Sequence, residues 1–328
     1  MEQKWERFQG IAAAIGLLIL IFDSSCALEG ARLGLERCMK TVIPSLFPFF
    51  VLSMVLINSP WKKVPFPLGI IGKGLGIPEN AVFILIPSLL GGYPVGAKCV
   101  ADLYHKQQID RKNAERLLAF SSNVGPSFLF GMVSGFFPRI SMIWFLWFIH
   151  LLSAVLTSAA IPFEKPVHQV KPLPQKLDDT SIIWSAAKSM CLVCCWVMLF
   201  CMILGFCETW FLWMLPEWMQ TLFAGTLELT NGCFELSKIS DIKLRFIICS
   251  CMLAFGGICV LFQTASVTKG LPLECYIKGK LAQTMFSFLL SCTVMMEKGL
   301  YFAAWIPILL FLFRKKKKRY RNPEILPV

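Results

Sequence analysis

Long runs of apolar residues, separated by short polar stretches, dominate the chain. The clearest runs cover residues 11–22, 42–57, 143–161, 182–206, 246–262 and 299–313. Several approach the roughly 20 residues that an α-helix needs to cross the hydrocarbon core of a bilayer. The pattern therefore predicts an all-α polytopic membrane protein, in which lipid surrounds most of the outward-facing side chains.

Two pairs of segments resemble each other in the same order, which indicates an internal repeat. Residues 35–52 (LERCMKTVIPSLFPFFVL) align with residues 186–204 (AAKSMCLVCCWVMLFCMIL). Further along, residues 118–122 (LAFSS) correspond to residues 253–257 (LAFGG). Many transporters consist of two related units that are inserted with opposite orientation. We therefore expect two inverted repeats.

A polar, proline-bearing stretch between the repeats cannot form a membrane helix and predicts a linker. The expected order is an N-terminal transmembrane helix at 1–26, a first gate-type repeat at 27–163, a cytoplasmic linker at 164–179, a second gate-type repeat at 180–296, a last transmembrane helix at 297–313 and a basic cytoplasmic tail at 314–328. With three crossings per repeat, the chain has about 8 transmembrane helices. Each repeat also contributes one re-entrant hairpin, at 81–98 and at 221–235.

The distribution of positive charge supports this orientation. The chain carries 32 Lys and Arg against 20 Asp and Glu, and its formal net charge is +12. Because these residues cluster between apolar runs, we attribute them to the positive-inside rule and not to nucleic-acid binding. Lys4, Arg7 and the basic run 314–319 place both termini in the cytoplasm, where the tail meets anionic lipid headgroups. Basic residues in 236–245 fall on the outer side, so the sidedness of that loop stays open.

The 14 cysteines and 3 histidines do not form a catalytic or metal-binding pattern. Most cysteines lie inside apolar runs, where cysteine behaves as a small hydrophobic residue. His150 stands alone on an apolar helix, and no G-x-S-x-G, H-E-x-x-H or P-loop motif occurs. We therefore predict no enzyme activity, no cofactor and no metal site.

Helix-breaking and polar residues interrupt the apolar runs at four places. In the first repeat these are residues 87–98 (PSLLGGYPVGAK) and 121–127 (SSNVGPS), and in the second 227–232 (LELTNG) and 256–264 (GGICVLFQT). Irregular backbone at membrane depth persists only where it is buried in protein or lines a polar cavity. We therefore predict a substrate site there. Its expected residues are Gly91, Gly92, Tyr93, Lys98, Ser121, Ser122, Asn123, Ser127, Thr230, Asn231 and Gln263.

Two ionisable residues suggest what such a site would handle. Glu228 lies between two leucines near a helix break, and we predict that it couples transport to a proton or another cation. Helix N-termini at a hairpin tip, with Lys98 nearby, would favour an anionic solute. Structural alternatives stay open: Lys98 can snorkel to water, the Ser and Asn side chains can hold helices together, and Glu228 can be an interfacial acid.

Four stretches resemble bacterial membrane proteins with nucleoside-recognition gate domains, and among them the sporulation integral membrane proteins of spore-forming bacteria. They are residues 29–52, 87–98, 117–131 and 227–232. The resemblance implies a relation to the core of concentrative nucleoside transporters, where two re-entrant hairpins and two broken helices enclose the solute. For the sporulation branch it further implies transport of dipicolinic acid toward the developing spore. The implied location is the cell membrane, including the membrane that surrounds the forespore.

The sequence therefore predicts a secondary transporter for a small organic anion, with dipicolinic acid as the first candidate. A nucleoside or related solute carrier is one alternative. A non-transporting membrane scaffold that acts during sporulation is another. The expected partners are the solute, the lipid bilayer and a coupling proton or cation; nucleic acid is not expected, and oligomerisation is left open.

Overall fold

A computed structural model describes residues 2–59, 65–161, 179–297 and 299–315. All regular elements within these residues are helices. Four helices are long and apolar enough to cross a membrane: Ser24–Asn58, Ile140–Ala160, Thr180–Trp210 and Ile242–Val267. Shorter apolar helices cover Ala13–Phe22, Ala81–Leu90 and Leu300–Leu312. The predicted linker, except its last residue, and most of the basic tail lie outside the described residues. The number of eight crossings stays a prediction.

The first half of the chain contains, after α1, a long helix (α2 and α3), a helix pair (α5 and α6), a broken helix (α7 and α8) and a second long helix (α9). Its helices are α1 (Glu2–Phe22), α2 (Ser24–Arg37), α3 (Ile43–Asn58), α4 (Phe66–Gly74), α5 (Leu85–Leu90), α6 (Val95–His105), α7 (Arg111–Leu118), α8 (Pro126–Gly131) and α9 (Ile140–Ala160). A π-helical turn, Cys38–Val42, makes α2 and α3 continuous. The chain is not helical between α7 and α8, because Gly125 is extended and Pro126 opens a new helix.

The second half contains the same kinds of element in the same order: a long helix (α10), a helix pair (α11 and α12), a broken helix (α13 and α14) and a second long helix (α15). Its helices are α10 (Asp179–Trp210), α11 (Glu217–Leu227), α12 (Leu229–Glu235), α13 (Ile242–Phe255), α14 (Ile258–Val267), α15 (Glu274–Met295), α16 (Leu300–Ala303) and α17 (Trp305–Lys315). Gly256 and Gly257 separate α13 from α14 and have φ values of +84° and +90°. Glycine adopts these values readily because it has no Cβ. That the two halves are inverted copies stays a prediction.

The long helices of the two halves pack against each other with almost no side chain between them. A Cβ atom added to Gly30 would lie 2.7 Å from the Cα atom of Met202, and one added to Gly34 would lie 2.7 Å from the Cα atom of Met198. Small residues spaced four apart allow membrane helices to approach this closely. The Gly30–Gly34 pair therefore brings α2 against α10.

Basic residues that the sequence places on the outer side have local partners. Arg245 donates from Nε to the carbonyl oxygen of Ile239 at 2.8 Å and from a terminal nitrogen to that of Phe136 at 2.8 Å. Lys238 forms an ion pair with Glu235. Carbonyl groups at helix ends lack partners within their own helix, and arginine satisfies two of them here. These charges therefore have structural roles and are weak signals of orientation.

Candidate functional site

The turns of the two helix pairs, the break between α7 and α8, and the helices α3, α10 and α14 surround one small cavity. The α5–α6 turn contributes Gly92 and Tyr93, and the α7–α8 break contributes Gly125. Glu228 from the α11–α12 turn and Gln263 from α14 close it from the other half. The cavity measures about 50 Å³, room for a few water molecules and well below the roughly 300–1,000 Å³ of ligand pockets. This conformation therefore leaves no room for an organic solute in the cavity.

Two glycines bring the first turn against the first break. Gly92 has a φ of +79°, and a Cβ atom added there would lie 2.7 Å from a methyl carbon of Leu46. A Cβ atom added to Gly125 would lie 3.1 Å from the backbone nitrogen of Gly92. Gly91 is buried beside this turn but does not line the cavity. The GGYP sequence thus lets backbone touch backbone at the cavity wall.

Glu228 is buried at the turn between α11 and α12, where its side chain is the N-cap of α12. Its carboxylate accepts hydrogen bonds from the backbone nitrogens of Thr230 and Asn231 at 3.1 and 2.7 Å, and from the Asn231 side chain at 2.9 Å. The guanidinium of Arg37, which lies 3.9 Å from the centre of the Phe234 ring, also acts on it electrostatically. The residue is 2% exposed, so it is not an interfacial acid in this conformation.

Asn123 joins three elements behind the cavity wall. Its Nδ2 donates to the carbonyl oxygens of Ser88 at 3.1 Å and Phe120 at 2.8 Å. Its Oδ1 accepts from Nε2 of Gln283 at 2.9 Å. The side chain is fully buried and is not part of the cavity lining. In this conformation Asn123 holds the first helix break to the first helix pair and to α15.

His150 is buried beside the break between α7 and α8. Its Nε2 accepts a hydrogen bond from the backbone nitrogen of Val124 at 3.1 Å, and its side chain is buried. This contact fixes one of the backbone N–H groups that the break between α7 and α8 leaves without a helical partner. Among the described residues, no group of three or more His, Cys, Asp and Glu side chains could hold a metal ion.

The remaining predicted residues of the first half lie away from the cavity. Lys98 does not reach it, because its ammonium group forms an ion pair with Asp102 one turn further along α6. Ser127 is exposed and donates to the carbonyl oxygen of Ser45 at 3.2 Å. Ser121 and Ser122 are buried in the α7–α8 break but do not line the cavity. The expectation that Lys98 lies at the solute site is therefore not met in this conformation.

The predicted residues of the second half lie at the cavity or directly behind it. Thr230 and Gln263 line it, and the Gln263 side chain is 4% exposed. Its amide nitrogen lies 3.2 Å from the sulfur of Cys259, which is a weak acceptor. Asn231 stands behind Glu228 and faces an open groove between α2 and α10. The second half thus supplies most of the polar groups of the cavity.

The sequence analysis missed Lys280 and Gln283, which are neighbours on α15. Lys280 is 2% exposed and donates to the carbonyl oxygen of Ser122 at 2.5 Å and to Oε1 of Gln283 at 2.7 Å. It also donates to the hydroxyl oxygen of Tyr93 at 3.1 Å. A lysine directly before an apolar run is the signal that could have identified it, because ionisable groups at membrane depth are rarely without a function.

Comparison with known proteins finds one similar region. The sporulation integral membrane protein YlbJ of Bacillus subtilis (strain 168) is 35% identical to this chain over 130 residues, which is 38% of this chain and 31% of that protein. The chain thus matches about a third of the length of that relative. No family model and no solved structure matches. The chain is therefore similar in part to a sporulation integral membrane protein, and this similarity and its apolar helices support a membrane location.

Proposed function

We propose that this protein is a secondary membrane transporter for a small organic anion, with this small cavity as its solute site. The observation that carries the proposal is the convergence of two helix turns and one helix break, far apart in sequence, on one cavity, to which the second broken helix contributes α14. Discontinuous helices that meet at the boundary between two halves form the solute sites of many transporters. A scaffold protein would have no need to bury so much irregular backbone.

The position of the cavity suggests how a solute would cross. Its wall is shared between the halves, with Gly92 and Tyr93 on one side and Glu228 and Gln263 on the other. Movement of one half against the other would enlarge the cavity toward one side of the membrane at a time. In this scheme the described conformation is the closed state between an outward-open and an inward-open one.

Glu228 suggests why an anion would travel with a proton. A carboxylate beside an anionic solute is unfavourable when both are ionised, because like charges in a buried site repel. Protonation of Glu228 removes this repulsion, so binding of the solute and binding of the proton support each other. Together with the similarity to a sporulation integral membrane protein, this makes dipicolinate the first solute to test.

A nucleoside or another neutral polar solute is the second candidate. No Lys or Arg among the described residues lines the cavity, whereas Glu228, Thr230 and Gln263 offer both hydrogen-bond donors and acceptors. Groups of this kind suit a sugar hydroxyl or a base edge without any change of protonation.

Uptake into proteoliposomes distinguishes these candidates. Labelled dipicolinate and labelled uridine are offered separately, with and without a proton gradient. Glu228→Gln is compared with Glu217→Gln, a matched control because Glu217 is exposed at the start of the same helix pair. We expect saturable, gradient-stimulated dipicolinate uptake that loses its gradient dependence only in Glu228→Gln.

Each other outcome has a defined meaning. Uptake of uridine alone would replace the anion proposal with the nucleoside alternative. Dipicolinate uptake that Glu228→Gln leaves gradient-dependent would remove Glu228 from the coupling. A protein that folds normally and takes up neither solute would contradict both transport proposals and favour the scaffold alternative.

A further inference from the structure

The buried ammonium group of Lys280 is surrounded by oxygen atoms. Its Nζ lies 2.5 Å from the carbonyl oxygen of Ser122, 2.7 Å from Oε1 of Gln283, 3.1 Å from the hydroxyl oxygen of Tyr93 and 3.5 Å from the carbonyl oxygen of Ala254. No carboxylate among the described residues forms an ion pair with it. A buried charge without a counterion is costly unless dipoles replace its hydration shell.

The surrounding hydrogen-bond acceptors favour a cation at this position. The Tyr93 hydroxyl donates to the carbonyl oxygen of Leu253 at 2.8 Å, so it presents a lone pair to Lys280. The amide nitrogen of Gln283 donates to Asn123, so its oxygen also acts only as an acceptor. The two carbonyl groups can only accept. A neutral amine has only two N–H groups, so its lone pair would face one of these acceptors and repel it. An ammonium group has three, one for each of the three closest oxygen atoms.

Two of the oxygens come from the interrupted helices. Ser122 lies in the stretch between α7 and α8, and Ala254 lies one residue before the end of α13. Unwound carbonyl groups and the C-terminal ends of half-helices are the groups that coordinate mobile cations in transporters. The approach of α15 is very close, because a Cβ atom added to Gly279 would lie 2.1 Å from the carbonyl oxygen of Ala119. Gly279 thus places Lys280 at this oxygen cage.

We propose that Lys280 is a tethered cation, which fills with its own ammonium group a monovalent-cation site formed by the two helix breaks and the first helix turn. The protein therefore needs no sodium or potassium ion at this position. Lys280 does not line the solute cavity, and its N–H groups are already used. The inference deepens the proposed function, because it says which ion that transporter would not need.

Substitution of Lys280 by alanine removes the tethered ammonium group and leaves its site open to a free cation. Binding of that cation would raise the melting temperature of the variant, so the test needs no solute. The melting temperature of purified full-length Lys280→Ala is measured in equal concentrations of methylammonium, potassium, sodium or tetramethylammonium chloride. The tetramethylammonium ion is too large for the oxygen cage and serves as the reference. We expect a lower melting temperature for the variant in tetramethylammonium. We expect methylammonium to raise it by at least about 3 °C, the size of shift that saturating binding produces.

Wild-type protein and Lys278→Ala are the controls, and neither should respond to the choice of cation. Lys278 is a matched control because it lies on the same helix, is exposed and pairs with Glu274 at 2.5 Å. If Lys280→Ala is not recovered in tetramethylammonium, recovery of monodisperse protein only in methylammonium supports the proposal as well.

Two results would overturn the proposal. The first is a Lys280→Ala protein as stable as wild type in every salt. The second is a destabilised or unrecoverable variant that no small cation restores, which would make Lys280 an ordinary structural cross-link. Both readouts are independent of uptake, so a failure of the transport proposal leaves this test intact.

Discussion

The hydrogen bonds of Asn123 predict a large loss of stability on substitution by leucine. Leucine has nearly the same size, so Asn123→Leu removes polar contacts without opening a large cavity. The substitution breaks two bonds donated to the carbonyl oxygens of Ser88 and Phe120 and one accepted from Gln283, with lengths of 3.1, 2.8 and 2.9 Å. All of them are buried, so water does not replace the lost partners.

The magnitude follows from the number of bonds. A buried hydrogen bond contributes about 0.5–1.5 kcal/mol in soluble proteins, and bonds between membrane helices average about 0.6 kcal/mol. Three bonds therefore account for roughly 2–4 kcal/mol, the upper value including the cost of carbonyl groups left without a donor. Ser127→Ala is the control, because it removes one exposed bond of 3.2 Å. We expect the control to lower the free energy of unfolding by less than about 0.5 kcal/mol.

Reversible unfolding in mixed micelles measures both variants, and a double-mutant cycle tests the reasoning. Asn123→Leu and Gln283→Leu share one hydrogen bond, so the double variant should lose less than the sum of the single losses. We expect a coupling energy of about 0.6–1.5 kcal/mol. An Asn123→Leu protein within about 0.5 kcal/mol of wild type, or strictly additive losses, would refute the role of Asn123 as a structural junction.

Three further substitutions test the close contacts. Gly34→Leu should separate α2 from α10 and lower the melting temperature by more than Gly16→Leu, whose added Cβ atom would have no neighbour within 4 Å. Gly96→Ala would place a Cβ atom 1.7 Å from a carbonyl oxygen of the α7–α8 break, and its yield of folded protein should fall well below that of Gly131→Ala, where space is open. Glu228→Ala removes the cap of α12 and should cost about 1–2 kcal/mol in the same unfolding assay.

The sequence predicts the helix interruptions well because they are encoded locally. A Gly-Pro pair bends the chain whatever surrounds it, and two adjacent glycines allow a backbone that other residues avoid. The breaks at Gly125 and at Gly256 therefore appear where the residues predict them. The first break lines the cavity, whereas the second broken helix reaches it through α14, which follows Gly256 and Gly257. The order of the elements in the structure is compatible with the expectation of two related halves.

The two lysines show where local reasoning failed. Lys98 attracted attention because it ends a glycine-rich motif, but Asp102 four residues later is a partner readable from the sequence. Lys280 has no acidic residue three or four positions away on its helix, which is the sign of a charge with a distant partner. It was overlooked because Glu274 and Lys278 lower the hydropathy of the first turns of α15, so the apolar part of this helix begins only after Lys280.

Tyr93 connects the two charged sites of the molecule. Its side chain lines the cavity that Glu228 also lines, while its hydroxyl group accepts from Lys280 and donates to the carbonyl oxygen of Leu253. If the first helix turn moves to open the cavity, the contact between Tyr93 and Lys280 must lengthen, because the ammonium group is held by two other strong acceptors. In the transporter that we propose, opening of the cavity and rearrangement around Lys280 would thus be linked through one side chain. In that proposed transporter, a fixed cation would make this link independent of the salt outside and would leave protonation of Glu228 as the step that responds to the ion gradient.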